Sequence, residues 1–177
     1  MRVAVGRVVV VALLGVALPA SAASLADLLR CDKAIHGGAS IFAGLVHSAL
    51  ASCASKIESC QLAQEIDGDD PTQCLASASA MCGAYSAKVG AYKSTAESKA
   101  IVGCNTIPLG ELEQYVAGLG FHAVTTTCAA STIFDLLDCV FDGAQCASER
   151  TLFTLDPRAG DALATAGIAA AHPCVGP

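Results

Sequence analysis

The chain has 177 residues, a formal net charge of −6, ten cysteines, eight aromatics and no tryptophan. Residues 1–22 read as an export signal, which leaves about 155 residues for the mature chain and, without Arg2 and Arg7, a charge of −8. So acidic a chain argues against nucleic acid or an anionic membrane surface as partner. Its length fits one domain, or two small ones sharing a core.

Arg2 and Arg7 make a basic n-region, Val8 to Leu18 an apolar stretch, and Ala20-Ser21-Ala22 a small-x-small cleavage pattern. The apolar stretch is too short for a bilayer, which needs about twenty residues. No lipobox follows, because Arg30 sits where a small residue should precede Cys31. There is no Arg-Arg pair and no further long apolar run, and the positive mean hydropathy owes much to the signal and to alanine. Export to an oxidising space makes ten cysteines most naturally five disulfides. The expectation is a secreted or periplasmic protein with no stable membrane insertion once the signal is cleaved.

Strand signals are scarce and helix signals many. Ser24 and Asp27 make a capping box in front of Leu25, Leu28 and Leu29. An apolar phase then runs through Cys31, Ile35, Gly38, Phe42, Leu45, Val46, Ala49, Cys53, Ile57 and Cys60. It holds its step across Gly37-Gly38, so one long helix is expected, ending near Glu65 before the turn chemistry of Asp67-Gly68-Asp69-Asp70-Pro71. Asp70 as N-cap, Pro71 at the first helical position and Gln73 restart a helix. Its stripe is Cys74, Ala78, Met81, Cys82, Tyr85, Val89, Tyr92, Ala96 and Ala100, and Ile107-Pro108 lies beyond its end. Shorter helices are expected over about 109–119, 128–141, 144–155 and 157–171, with Asp142-Gly143 as a turn and Asp156-Pro157 capping the last.

Cysteine spacing carries the most information. Cys53 and Cys60 are seven apart and Cys74 and Cys82 eight apart, about 10.5 and 12 Å along a helix, beyond the roughly 7 Å Cα limit of a disulfide. Each gap is about two turns, so both members face a partner helix. Residues facing each other in an antiparallel hairpin have nearly constant index sums. The sums are 134 for Cys60 and Cys74, 135 for Cys53 and Cys82, and 135 for Cys31 and Cys104. The chain therefore predicts three concentric staples along an α-hairpin. Ala49, Ala78, Ala96, Ala100 and the glycines permit the close helix approach this needs. The last four cysteines, Cys128, Cys139, Cys146 and Cys174, allow three pairings. If Asp142-Gly143 is a tight turn, Cys139 faces Cys146 and Cys128–Cys174 pins the tail, which is the preferred arrangement. If the helix runs through Gly143, distance rules that pair out, and Cys146 or Cys139 must take Cys174.

Cys31-Asp32-Lys33-Ala34-Ile35, followed by Phe42 and Cys53, opens the long helix, and Leu137-Asp138-Cys139-Val140 forms a later segment. In these two short stretches the chain resembles secreted, alanine- and cysteine-rich helical bacterial proteins with no assigned role. The resemblance implies a secreted helical family and supplies no catalytic residues to carry over.

No Cys-x-x-Cys occurs, so thioredoxin-like redox centres, c-type haem attachment and zinc ribbons lose their usual ligand spacing. A thiolate-lined copper-storage bundle is a minor alternative, since soft sulfur selects Cu(I); the spacings of 7, 8 and 22 fit staples better. His36 and His47 could share a helix face, but no acidic residue is read at a supporting turn, and His122 and His172 stand apart. Glu111 with Glu113, or Asp135 with Asp138, could be offered as acid–base pairs, yet on short amphipathic helices such residues form the solvated face. No Gly-x-Ser-x-Gly elbow occurs. Asp67, Asp69 and Asp70 are the weak calcium candidates, although the EF-hand order fails and turn formation already explains them.

The expected fold is all-α: a long antiparallel hairpin over 23–105, cross-linked by concentric disulfides and packed against a C-terminal cluster of shorter helices over 106–177. Neither a catalytic residue nor a cofactor is expected. The leading functional expectation is a non-enzymatic structural or interaction module with an unidentified protein or envelope partner. The alternative is a carrier of a small hydrophobic ligand such as a lipid, if the C-terminal helices cover Phe42, Tyr85, Val89 and Tyr92 loosely. Tyr115, Leu119, Phe134, Leu137, Phe141 and Phe153 would do the covering.

Overall fold

A computed structural model of the chain describes residues 23–114, 119–121, 124 and 127–167. The export signal expected over 1–22 lies outside the described residues, as do Tyr115, His122, His172 and Cys174. Helix α1 spans Leu25–Asp67 and α2 spans Thr72–Cys104. A short α3 covers Leu109–Glu113, α4 covers Ile133–Leu155 and α5 covers Ala159–Thr165. No strand occurs among the described residues.

Local chemistry sets the ends of the hairpin. The Asp27 N–H donates to the Ser24 hydroxyl oxygen at 3.2 Å, and that hydroxyl donates to the Asp27 carboxylate at 2.6 Å. This satisfies one of the orphan donors at the start of α1. Its other end stops at Gly68, whose φ of 74° is left-handed and whose N–H donates to Gln64 O at 3.1 Å. Asp70 accepts from both the N–H and the hydroxyl of Thr72, at 3.0 and 2.7 Å. These bonds hold its carboxyl below the usual carboxylate range. The turn at the tip is thus built from Asp-Gly and Asp-Pro chemistry.

Between these ends α1 runs unbroken through Gly37-Gly38 and buries Cys31, Ile35, Phe42, Val46, Leu50, Cys53, Ile57 and Cys60. Disulfides join Cys31 to Cys104, Cys53 to Cys82 and Cys60 to Cys74, with Cα separations of 4.6, 5.2 and 5.7 Å. These are the pairs with index sums of 134 and 135. Helices this close need small residues between them. Ala78 and Ala100 are fully buried, and a Cβ on Gly103 would stand 2.7 Å from Ala34 Cβ. By length and composition, part of α1 would suffice to cross a membrane, which the reading of no further long apolar run missed. Three disulfides and its buried stripe make it the core helix of the hairpin.

The C-terminal half departs from expectation. Helix α4 is continuous through Asp142-Gly143, so the expected turn there is absent and the two expected helices are one. Cys139 and Cys146 then lie about 10.5 Å apart along a single helix, and the Cys139–Cys146 bond is ruled out. Cys139 bonds instead to Cys128, at a Cα separation of 6.2 Å. That overturns Cys128–Cys174 as well. Cys146 is also disulfide-bonded. The reason for the continuity is visible on α2. Lys93 donates to Asp138 and Asp142 at 2.6 Å each, and those two residues fall on one face only if the helix continues. A capping box of Thr132 and Asp135 starts α4 firmly upstream.

Helix α3 ends at Glu113 rather than near 119. The chain turns back, and the N–H groups of Leu119 and Phe121 both donate to Leu112 O. The last described helix ends at Thr165, with Gly167 at a φ of 72°. Helix α4 seals one flank of the hairpin. Phe141 is fully buried, its ring edge-on to Phe42 at 5.7 Å between centroids. The Ser148 hydroxyl donates to Ala43 O of α1 at 2.9 Å and to Ala144 O of its own helix at 3.0 Å. At the tip of the hairpin, Arg158 reaches Glu65 at 2.8 Å. One core cluster therefore draws on both halves of the chain.

Candidate functional site

Helix α4 covers only one flank of the α1–α2 seam. The other flank is a groove of about 580 Å³. Helix α1 supplies Gly37, Ile41, Phe42 and Leu45, and α2 supplies Tyr92, Thr95 and Ala96. Ile41 is 68% exposed and Tyr92 44% exposed. Tyr92 was expected in the core, so the C-terminal helices leave uncovered a residue the stripe had placed inside. Phe134, expected among the covering residues, is itself exposed, and Leu137 and Phe141 do the covering. Phe141 meets Gly38 and Phe42, residues that also line the groove, and Ala96 lies beside the same Gly38 position. Phe141 and the groove thus share one set of walls.

Most of the groove lies between the Cys31–Cys104 and Cys53–Cys82 staples, the longest stretch of the hairpin without a cross-link. Gly37 faces open space in it, since a Cβ there would meet nothing within 4 Å. The charged residues of the lining are Arg30, Lys33 and Lys99, all basic. Arg30 also pairs with Asp27 at 2.9 Å in an exposed contact. Past Leu45 and Tyr92 a shallower recess of about 230 Å³ continues along the seam, with Lys88 on its rim and 5.7 Å from the Tyr85 ring centroid.

Two other polar clusters tie the elements together. Burial works against the charge of Lys93, but its hydrogen bonds to Asp138 and Asp142 outweigh that and hold the ammonium far above its ordinary value. Glu97, 3.6 Å from Lys93, is pushed up chiefly by burial. On the tip side, burial and then the neighbouring Asp156 carboxylate push Glu58 up, with Arg158 opposing.

The expected metal candidates do not assemble. Asp67 ends α1, Asp70 serves Thr72, and among the described residues no group of three or more His, Cys, Asp or Glu could hold an ion. His36 does have an acidic neighbour one turn away, Asp32 at 3.3 Å, contrary to the sequence reading, in an exposed pair on the helix surface. Glu111 accepts from the Ala23 N–H at 2.6 Å, and Asp135 is held low by the Ser131 hydroxyl and further bonds from Ser131 and Thr132. These carboxylates therefore serve structure. Every described cysteine is in a disulfide, so none offers a thiolate to copper. The groove was out of reach of sequence reasoning. Its one signal was the run of Lys33, Gly37 and Ile41 at helical spacing, beside the apolar stripe and meeting it at Leu45. No family model matches the chain, and no curated protein or solved structure matches it.

Proposed function

We propose that the protein is a non-enzymatic binding module of an extracytoplasmic space, secreted or periplasmic, whose working surface is the groove between α1 and α2. The observation that carries this reading is the groove itself. It is apolar along most of its length, has a volume of about 580 Å³, and sits on a cross-linked scaffold. That volume falls within the roughly 300–1,000 Å³ typical of small-molecule sites. Disulfides fix the walls before any ligand arrives, so little ordering entropy is lost on binding.

Multiple disulfides are typical of oxidising compartments. The cleavage pattern at Ala20-Ser21-Ala22 supports export, and so does the position of Ala23. Its nitrogen lies 2.6 Å from Glu111 Oε2. Cleavage after Ala22 would turn that nitrogen into an α-ammonium and the hydrogen bond into an ion pair.

An uncharged apolar fluorophore, N-phenyl-1-naphthylamine, tests the reading. Saturable enhancement is expected with the disulfide-bonded protein and should be lost in Gly37→Leu, which fills the groove from an open position. The reading fails if the dye does not saturate, or if Gly37→Leu binds it as well as the parent does.

A further inference from the structure

We infer that the groove takes a single-chain anionic amphiphile of the long-chain fatty-acid class, acyl tail along Ile41, Leu45 and Tyr92 and carboxylate at Arg30, Lys33 and Lys99. The inference rests on the reading of the groove as a ligand site and specifies its ligand.

Charge is the first argument. Beyond residue 22 the chain has eight lysines and arginines against sixteen acidic residues. Three of the eight line this groove, and no acidic residue is among its described lining. An acidic protein repels anions at long range. A local cluster of cations facing an apolar trough is what an anionic head with an apolar tail requires.

Placement along the groove is the second. With index sums near 135, Lys99 stands across from position 36, close to Lys33 and Arg30, so the three cations share the end beside the Cys31–Cys104 staple. Ile41, Leu45 and Tyr92 lie toward the other end. The groove is thus cationic at one end and apolar along the rest, an arrangement that gives a bound amphiphile one orientation.

Size is the third. From Arg30 to Leu45 the groove follows about 22 Å of helix. One acyl tail occupies about half of a ~30 Å hydrocarbon core, or ~15 Å, which leaves room for the head at the cationic end. An α-helix about 11 Å across would fill 580 Å³ with little more than one turn. The dimensions therefore favour an extended chain over a partner helix.

The test uses the mature protein with its disulfides intact and two ligands, an anthroyloxy-labelled palmitate and its methyl ester. The acid should bind saturably, one per chain, and about tenfold or more tighter than the ester. Lys33→Glu with Lys99→Glu changes two exposed side chains and should remove that preference while leaving ester binding within about twofold. Gly37→Leu should abolish binding of both. Equal affinity for acid and ester would overturn the anionic ligand while leaving the apolar site intact. Unchanged acid affinity in the double reversal would do the same. If neither ligand saturates although N-phenyl-1-naphthylamine does, the amphiphile is wrong and the groove stands. If none of the three saturates, the site reading falls with it. A groove closed by a second copy of the chain, seen as a dimer that Gly37→Leu splits, would also overturn the inference.

Discussion

Two glycines on the hairpin should respond to the same substitution with opposite sign. Both lie in helices, where Gly costs roughly 1 kcal/mol relative to Ala. At Gly37 an added Cβ meets nothing within 4 Å. Gly37→Ala should therefore recover most of that ~1 kcal/mol, raising Tm by about 2–4 °C for a chain of this size. At Gly103 the added Cβ would stand 2.7 Å from Ala34 Cβ and 3.6 Å from Arg30 O. Neither atom belongs to a flexible side chain, and the Cys31–Cys104 bond, one residue away, holds the two Cα atoms at 4.6 Å. The helices cannot separate there without straining the staple. Overpacking costs about 1–3 kcal/mol, with the upper end expected at so rigid a contact. Propensity gain is smaller near the end of α2, so Gly103→Ala should lose about 1–2 kcal/mol net. Thermal unfolding followed by far-ultraviolet circular dichroism, without reductant, reads both. Adding Ala34→Gly to Gly103→Ala should restore the missing space, giving a favourable coupling of about 1–3 kcal/mol. A neutral or stabilising Gly103→Ala with its disulfide formed would refute the close approach of α1 and α2.

Further expectations concern the core, the staples and two carboxylates. Phe141→Ala should lose about 3–5 kcal/mol in urea unfolding, because the ring is fully buried against Phe42 and Gly38. Removing one staple with the others in place reopens a loop of about 44 residues for Cys31–Cys104 but only about 15 for each inner bond, since the loops are nested; the chain-entropy relation then gives about 4 kcal/mol for the outer bond and about 3 for each inner one. Double Cys→Ala variants of each pair should follow that order. Glu58 has a raised pKa in the folded state, so its ionisation opposes folding as pH climbs above the unfolded value near 4.5. Glu58→Gln should accordingly raise Tm at pH 7, with the advantage fading as pH falls toward about 4.5 and absent below it. Intact mass should place the mature N-terminus at Ala23, and Glu111→Gln should lower Tm; an unchanged Tm would remove the role of the Ala23–Glu111 contact.

The hairpin was legible because its rules are one-dimensional. Helical phase placed Cys31, Phe42, Cys53 and Cys60 on one face, and Asp-Gly and Asp-Pro fixed the turn about which the index sums balance. The C-terminal half was misread at Asp142-Gly143, where local turn chemistry yields to a tertiary contact. Lys93 holds Asp138 and Asp142 together from another helix, and no local pattern in α4 announces it. The same limit hid the groove. Tyr92 belongs to the apolar stripe of α2, but its exposure depends on which flank α4 covers. That choice is set by Phe141 meeting Gly38 and by Ser148 reaching Ala43 O. Periodicity identifies what is apolar; only packing decides which of it is left open.

The claim beneath the fold and the groove is the pattern of cross-links, and peptide mass spectrometry of the non-reduced mature protein tests it most directly. The expected links are Cys31–Cys104, Cys53–Cys82, Cys60–Cys74 and Cys128–Cys139. With these in place Cys174 is the one cysteine left for Cys146, and no free thiol should remain. Links joining Cys31, Cys53 or Cys60 to the C-terminal half, or a Cys139–Cys146 bond, would contradict the stapled hairpin and the unbroken α4 on which the groove depends.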